Sequence, residues 1–596
     1  MAPIYIFQYL IISLCVQAFG VFVYIVYYTD FLLPTQVLES KVYDYIIVGS
    51  GTAGSLIAHR LATETNYTFV VIEAGGASNP LYEIPILGPM LHGSPYDWQY
   101  ETIPQENACL AMEGNKCKLT QGKIFGGSAK LNNMIHIRGN ISHYVNWFHG
   151  AHSESYIRQQ FDFIEDNIIQ LNKLRFTSQL SDYILEAAKE LGYEELNNEY
   201  KIGFGKPLVS QINGKRWATS DNVKQKHVLI NTVVEKLLFK KNRCYGIQLV
   251  NKKLFARKGV ILSAGAFNSP KILQLSGVGP AKLLQSLEIQ LVQELPVGKN
   301  LQDHIGTGLD LVLFNYSLSI NAFNFFNALH VYNYFSQGKG PLTTTGCEVV
   351  GFVSTKSDTQ PDIELMVLPV GISADRGSHL RNILRINDEV WNNYFAKLFD
   401  KHASTILALI LHTKSKGEVY IKSKNPYIPP LIDPKYFTDG EDVKILVTAV
   451  KMIKEFIQTE KMKSFGAYLN EIPFPGCEGH KFFSDSYLEC YIRHLTLSVF
   501  HPIGTCSMGL PDNKNSVVDT SFKVIGLDNL YVVDASVLPT LPSSNINAAI
   551  AMMASVFFDS QIKRKNIGQC HKRQRCFINY LSKDMCLKGD ILLHCV

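Results

Sequence analysis

KVYDYIIVGSGTAGSLIAHRLATETNYTFVVIEAGG, residues Lys41 to Gly76, reads as strand, glycine turn, helix, strand and a terminal acid. Tyr45 to Val48 form a short apolar run of β-formers, and Gly49, Gly51 and Gly54 follow at the Gly-x-Gly-x-x-Gly spacing. The first glycine permits the tight turn, the second lets a pyrophosphate approach the backbone, and the third lets the helix pack on the strand. Ala53 to Thr63 continue as a helix whose N-terminal amides and dipole suit a diphosphate. Phe69 to Ile72 form the second strand, which ends in Glu73, 19 residues after Gly54. A carboxylate there accepts both hydroxyls of an adenosine ribose and repels a 2'-phosphate, so FAD or NAD is favoured over NADP. The stretch specifies an α/β dinucleotide-binding unit in which Gly49, Gly51, Thr52, Ala53, Gly54 and Glu73 are the expected cofactor contacts. It leaves flavin and nicotinamide both open.

Around this unit lie 596 residues, 46 % hydrophobic and 18 % charged, a globular composition too long for one ordinary core. The formal net charge is +5, yet Gln561 to Val596 hold eight Lys and Arg against two Asp, so the rest of the chain is near neutral. A near-neutral body gives no support for nucleic acid as a partner. The first 29 residues carry no charged side chain, and residues 4–28 are mostly Ile, Leu, Val, Phe and Tyr. That is long enough to cross a bilayer, while Ala18-Phe19-Gly20 offers a small-x-small cleavage site. Residues 1–40 therefore read as a signal-anchor or a signal peptide, and both send the chain into the secretory pathway, membrane-anchored or extracellular.

Twelve cysteines fit an oxidising compartment. Cys109 and Cys117 flank the turn-like Glu113-Gly114-Asn115, and Cys477 and Cys490 bracket a loop, so each pair suits a short disulfide. Asn66, Asn140 and Asn315 head glycosylation sequons. Residues 566–596 form a basic tail with cysteines at 570, 576, 586 and 595, too widely spaced for the usual zinc pairs. No metal is expected in the chain.

GKIFGGSAKLNNMIHIRGN, Gly122 to Asn140, places Gly126 and Gly127 where backbone can lie close to a flat ligand, with Asn132 as a hydrogen-bonding partner. This block, GAFNSPKILQLSGVGP at Gly265 to Pro280, and VGKNLQDH at Val297 to His304 resemble the glucose-methanol-choline (GMC) oxidoreductase family. The resemblance covers almost everything from residue 41 to about 565. Within the family the chain is most similar to the insect FAD, quinone glucose dehydrogenase branch. That likeness rests on Asp97-Trp98-Gln99-Tyr100, Pro475-Gly476-Cys477-Glu478 and Ile492-Arg493-His494.

The resemblance implies a discontinuous, FAD-binding Rossmann-like domain with an α+β substrate domain built on an antiparallel sheet. Residues 41–340 and 405–565 are the two family regions, with a variable part of the substrate domain at 341–404. It implies that the adenine faces the backbone of Val234, that Asp534 lies near the ribityl chain and pyrophosphate, and that Asn547 opens the final helix beneath the flavin. It implies further that His501, in SVFHPIGTCSMG, faces flavin N5, with Asn545 of LPSSNINAA as its partner. Oxidising an alcohol requires the hydroxyl proton to leave as a hydride departs, so a base near neutrality is wanted, and imidazole supplies one. Members with covalent FAD carry a histidine where this chain has Leu131, so non-covalent FAD is expected.

The expected activity is hydride transfer from a sugar, sterol or small alcohol to flavin, with a quinone-like acceptor or oxygen taking the electrons. Ala129 and Lys130 depart from the family pattern, with Lys130 either raising the flavin potential or pointing to solvent. Those departures and the added tail motivate an alternative, a catalytically weak FAD-binding protein of the same fold.

Overall fold

The computed structural model describes residue 17 and residues 41–563, apart from 197–201, 319–326 and 357–359. The apolar stretch 4–28, except Gln17, and the basic tail lie outside the described residues. Among the described residues no helix is long and apolar enough to cross a membrane.

The quoted stretch folds as strand β1 (Val42–Val48), helix α1 (Thr52–Glu64) and strand β2 (Phe69–Ile72). The two strands pair in parallel, with Val48 opposite Ile72. The last four residues of β1 and all of β2 are buried, because a parallel sheet is covered on both faces. β3 (Lys252–Leu262) lies on the other side of β1 and serves two partners. Its first half pairs antiparallel with Arg243–Leu249, and its last three residues pair in parallel with β4 (Leu530–Val532). The chain returns some 270 residues later to complete this sheet, so the dinucleotide-binding unit is assembled from distant segments. Helix α2 (Gly265–Leu275) leaves the end of β3, and helix α3 (Ile546–Phe557) packs on α1. Arg60, buried on α1, joins Ser555 and Asp559 at the far end of α3.

The second sheet has eight strands, all paired antiparallel. Its two faces separate by the alternation of a strand. On Ile363–Leu368, residues Ile363, Leu365 and Val367 pack into the core that includes Val443, Leu446 and Val450 of helix Gly440–Ile457, while Met366 and Leu368 face a cavity. On His402–Ile410, Ile406 and Ala408 take the helix side, and Thr405 and Leu407 take the cavity side. The sheet is thus a roof.

The helical spacing over 442–459 is realised as Gly440–Ile457, one turn-half earlier, because Asp439 accepts a hydrogen bond from Glu441 N and caps the helix there. Both expected cysteine pairs are disulfides, with Cα–Cα distances of 5.7 Å for Cys109–Cys117 and 5.8 Å for Cys477–Cys490. Asn66 and Asn315 are exposed. The Asn140 side chain instead caps the helix Ile141–Trp147.

Candidate active site

A cavity of about 460 Å³ runs between the two sheets. At one end it is lined by Gly49, Gly51, Thr52, Ala53, Glu73 and Val234; further along by Gly127, Asn132, Asp534 and Asn547; and at the far end by His501 and Asn545. Of the twelve cofactor contacts expected from sequence, ten line this one space; Gly54 and Gly126 stand immediately behind it.

Three helices bring their N-termini to the cavity, namely α1, α2 and α3, and none has a side-chain cap. Apart from Gly265 N of α2, which Asp534 takes, no side chain caps them, and the positive ends of the three dipoles favour negative charge there. A Cβ on Gly51 would meet nothing within 4 Å, so that backbone faces open space. A Cβ on Gly127 would lie 2.9 Å from Gly51 Cα, so the two glycine loops abut. Ser50 ties them together: its N and Oγ donate to Glu73 Oε2 at 2.9 and 2.6 Å, and its Oγ accepts from Gly126 N at 3.0 Å. Glu73 also accepts from Gly75 N, and the Ala74 backbone adds a further bond, so most of its acceptor capacity holds the turn together.

Asp534 lines the cavity with its carboxylate bonded to the protein. Its four acceptor positions are filled by Gly265 N, Ser269 Oγ, Ser536 N and Ser536 Oγ. The carboxylate fixes the start of α2 against the end of β4 and borders the cavity without an acceptor to spare. Lys130 differs from the solvent-pointing alternative. It is 1 % exposed, and its Nζ lies 2.5 Å from Asp221 Oδ1, so its charge is matched at once. Asn132 Oδ1 accepts from Met134 N and from Arg216 Nη1, both at 3.0 Å. Arg216 also binds the carbonyls of Ala129 and Asn132, and burial pulls its pKa down to about 9.

At the far end, two antiparallel strands set the geometry. Ile305–Thr307 pairs with Leu497–Ser498, placing Ile305 opposite Ser498. His304 and His501, which flank these strands, are thereby brought into an edge-on contact, Nδ1 to Nδ1 at 2.9 Å. Phe500 takes a positive φ of 62°, turning the chain so that His501 enters the cavity wall. Asp303 holds that turn: its Oδ1 accepts from His501 N at 3.0 Å, and its Oδ2 accepts from Tyr436 and Ser498. Burial raises Asp303 to about 6, opposed by those hydrogen bonds. His304 Nε2 lies 3.1 Å from both Leu411 O and Pro542 O.

Burial lowers His501 to about 4, below the near-neutral base expected from sequence, because a desolvated imidazolium is disfavoured. Burial likewise lowers His304, with the His501 and His412 charges adding to the effect. Asn545 caps α3 without a side-chain bond, is 8 % exposed, and its Oδ1 has no partner.

Sequence reasoning missed three contributors. His304 stood inside a quoted block, but only the strand pairing shows what it faces. Arg216 carried no motif. Lys271, on the same face of α2 as Asn268 and Leu275, lines the cavity, and burial lowers its pKa to about 8.

These features fit a flavin dinucleotide: an open glycine cradle, uncapped helix ends, a ribose-side carboxylate and an unpartnered amide at the reacting end. Leu131, where the resemblance places the histidine of members with covalent FAD, is a buried aliphatic side chain that cannot form such a bond.

The family description GMC oxidoreductase matches residues 43–306 and 413–554. Glucose dehydrogenase (FAD, quinone) of Drosophila melanogaster is 30 % identical over 554 residues, covering 86 % of this chain and 85 % of that one. Ecdysone oxidase of Spodoptera littoralis is 30 % identical over 568 residues, covering 88 % and 92 %. Among solved structures, pyridoxine 4-oxidase from Mesorbium loti superposes with a TM-score of 0.70 at 24 % identity, covering 87 % and 99 %. Formate oxidase superposes with a TM-score of 0.74 at 23 % identity, covering 88 % and 99 %. At those identities the two structures share the fold.

Proposed function

The chain belongs to the GMC oxidoreductase family and is an FAD-dependent oxidoreductase, and we propose that it oxidises the CH–OH group of an alcohol with His501 accepting the hydroxyl proton. FAD, held without a covalent bond, supplies the acceptor for the hydride that leaves the carbinol carbon.

The observation that carries the assignment is the pair of carbonyl oxygens beside His304. A carbonyl oxygen only accepts, so His304 Nε2, 3.1 Å from both, carries the proton. Burial keeps His304 neutral, so its Nδ1 is a lone pair. That lone pair accepts from His501 Nδ1 across 2.9 Å, which puts the His501 proton on Nδ1. His501 Nε2 is then the unprotonated nitrogen, free to take the substrate's hydroxyl proton. The hydrogen-bond network assigns this tautomer, and the backbone enforces it.

Asn545 completes the pair. A substrate hydroxyl has a single proton, which goes to His501 Nε2, so Asn545 contributes by donating from Nδ2 to the hydroxyl oxygen, fixing the hydroxyl against His501 without competing for its proton. The roof shields the site from water.

The electrons pass on to a quinone-like acceptor or to oxygen; the relatives include both a quinone-linked dehydrogenase and an oxidase. Two disulfides and 29 uncharged N-terminal residues support a location in the secretory pathway, either anchored through residues 4–28 or extracellular. The test is His501→Ala. Turnover should fall by about 10²–10⁴-fold while flavin stays bound, and near-wild-type turnover would contradict the assignment.

A further inference from the structure

We propose that the alcohol has an apolar body and carries its reacting hydroxyl at the edge of it, so that the site selects hydrophobic alcohols over sugars. The inference rests on the alcohol-oxidising reading above and adds the chemistry of the rest of the substrate.

The part of the cavity beyond His501 and Asn545 is made by the roof and by the segments packed on it. Met366, Leu368 and Leu407 face it from the sheet, Leu309 from the turn after Ile305–Thr307, and Ile383 and Leu384 from the short helix Leu380–Leu384. Polar side chains reach the same wall, but their hydrogen-bonding atoms are committed elsewhere. Ser498 Oγ donates to Asp303 Oδ2, Thr405 Oγ1 bonds Asp310, and His92 Nε2 lies 3.3 Å from Leu131 O. His92 is also packed edge-on against Phe500 and is held neutral by burial. The far wall therefore offers dispersion contacts and few free donors or acceptors.

A sugar bound there would meet His501 and Asn545 with one hydroxyl and bury the others against aliphatic carbon. Each unpaired buried hydroxyl forfeits its bonds to water with nothing in return. An alkyl, aryl or ring-fused alcohol loses nothing of the kind and gains from every apolar surface it buries.

The experiment is a series of straight-chain primary alcohols from ethanol to octanol, run beside glucose, on the flavin-loaded full-length protein with an artificial quinone acceptor. kcat/KM should rise by about threefold to fourfold per added methylene until the wall is filled, and hexanol should exceed glucose by about 100-fold or more. Leu368→Asn should flatten the series. A flat series in the parent protein, or glucose equal to hexanol, would overturn the proposal.

A binding arm separates this proposal from the one on which it rests. In His501→Ala holoenzyme, hexanol and glucose are titrated against the flavin spectrum without turnover. Tighter binding of hexanol supports the apolar site even if no alcohol is oxidised, and tighter binding of glucose refutes it even if His501 is the base.

Discussion

The cradle around Gly49–Glu73 and the roof built on Ile363–Leu368 and His402–Ile410 enclose the same cavity by opposite means. The cradle presents backbone: glycines without side chains, uncapped helix ends, and one carboxylate already tied to Ser50 and Gly75. The roof presents side chains, nearly all aliphatic, from strands far apart in sequence. Backbone recognition suits a cofactor whose diphosphate is common to many enzymes, whereas a side-chain wall can be rewritten residue by residue. His501, the proposed base, sits where the two meet, carried in by the roof strand Leu497–Ser498 and sharing the cavity with the Asn545 cap of the cradle's last helix.

The comparison breaks most severely at the glycines. Gly54→Ala puts a Cβ about 2.1 Å from Gly49 O, a contact that the backbone must move to relieve. Gly51→Ala meets no protein atom within 4 Å. The first variant should therefore lose several kcal/mol of stability, on the scale of a strained core substitution, and the second should fold normally yet bind FAD weakly. Thermal unfolding of the apoproteins together with flavin titration separates them. Equal behaviour of the two variants would mean that the open face of Gly51 is not where the cofactor lies.

A smaller effect is expected at the junction. His304→Leu removes the acceptor for His501 Nδ1–H and frees the other tautomer, so turnover should fall by about tenfold, in line with one lost buried hydrogen bond. His304→Asn keeps an acceptor near the Nδ1 position and should recover part of that loss. The pH profile gives a readout that a merely structural role would not move. His501 is lowered from the ordinary 6.5 to about 4, so the active neutral form persists as pH falls and is lost only through about pH 4. The groups bonded to it are Asp303 and His304, and His412 acts on His304 in turn. The same shift makes folding stability fall as pH drops from 6.5 toward 4, because the unfolded chain takes up that proton first. An acid limb near 6.5 in the parent enzyme would contradict the burial of the base.

Much of the cradle was legible in the sequence because its chemistry is local: the three glycines, the helix and Glu73 occupy 25 consecutive residues, Gly49 to Glu73. His501 and Asn545 were legible only through the family resemblance, since a lone histidine before proline carries no local signature. His304 became meaningful once the pairing of Ile305 with Ser498 placed it against His501. Asp534 and Lys130 show the limit from the other side. Their residue types announce charge, but what each charge meets, Gly265 and Ser269 in one case and Asp221 in the other, depends on segments 91 to 269 residues away. The roof was the least legible region, because aliphatic residues on a strand look alike whether they face a core or a substrate.

The most direct measurement mixes the oxidised holoenzyme with hexanol in the absence of oxygen and of any other acceptor, and follows the visible flavin absorbance in a rapid-mixing instrument. The account predicts bleaching with one equivalent of aldehyde formed per flavin, rapid in the parent protein and slowed by about 10²–10⁴-fold in His501→Ala. A spectral shift without bleaching would show an alcohol bound and left unoxidised, and would contradict it.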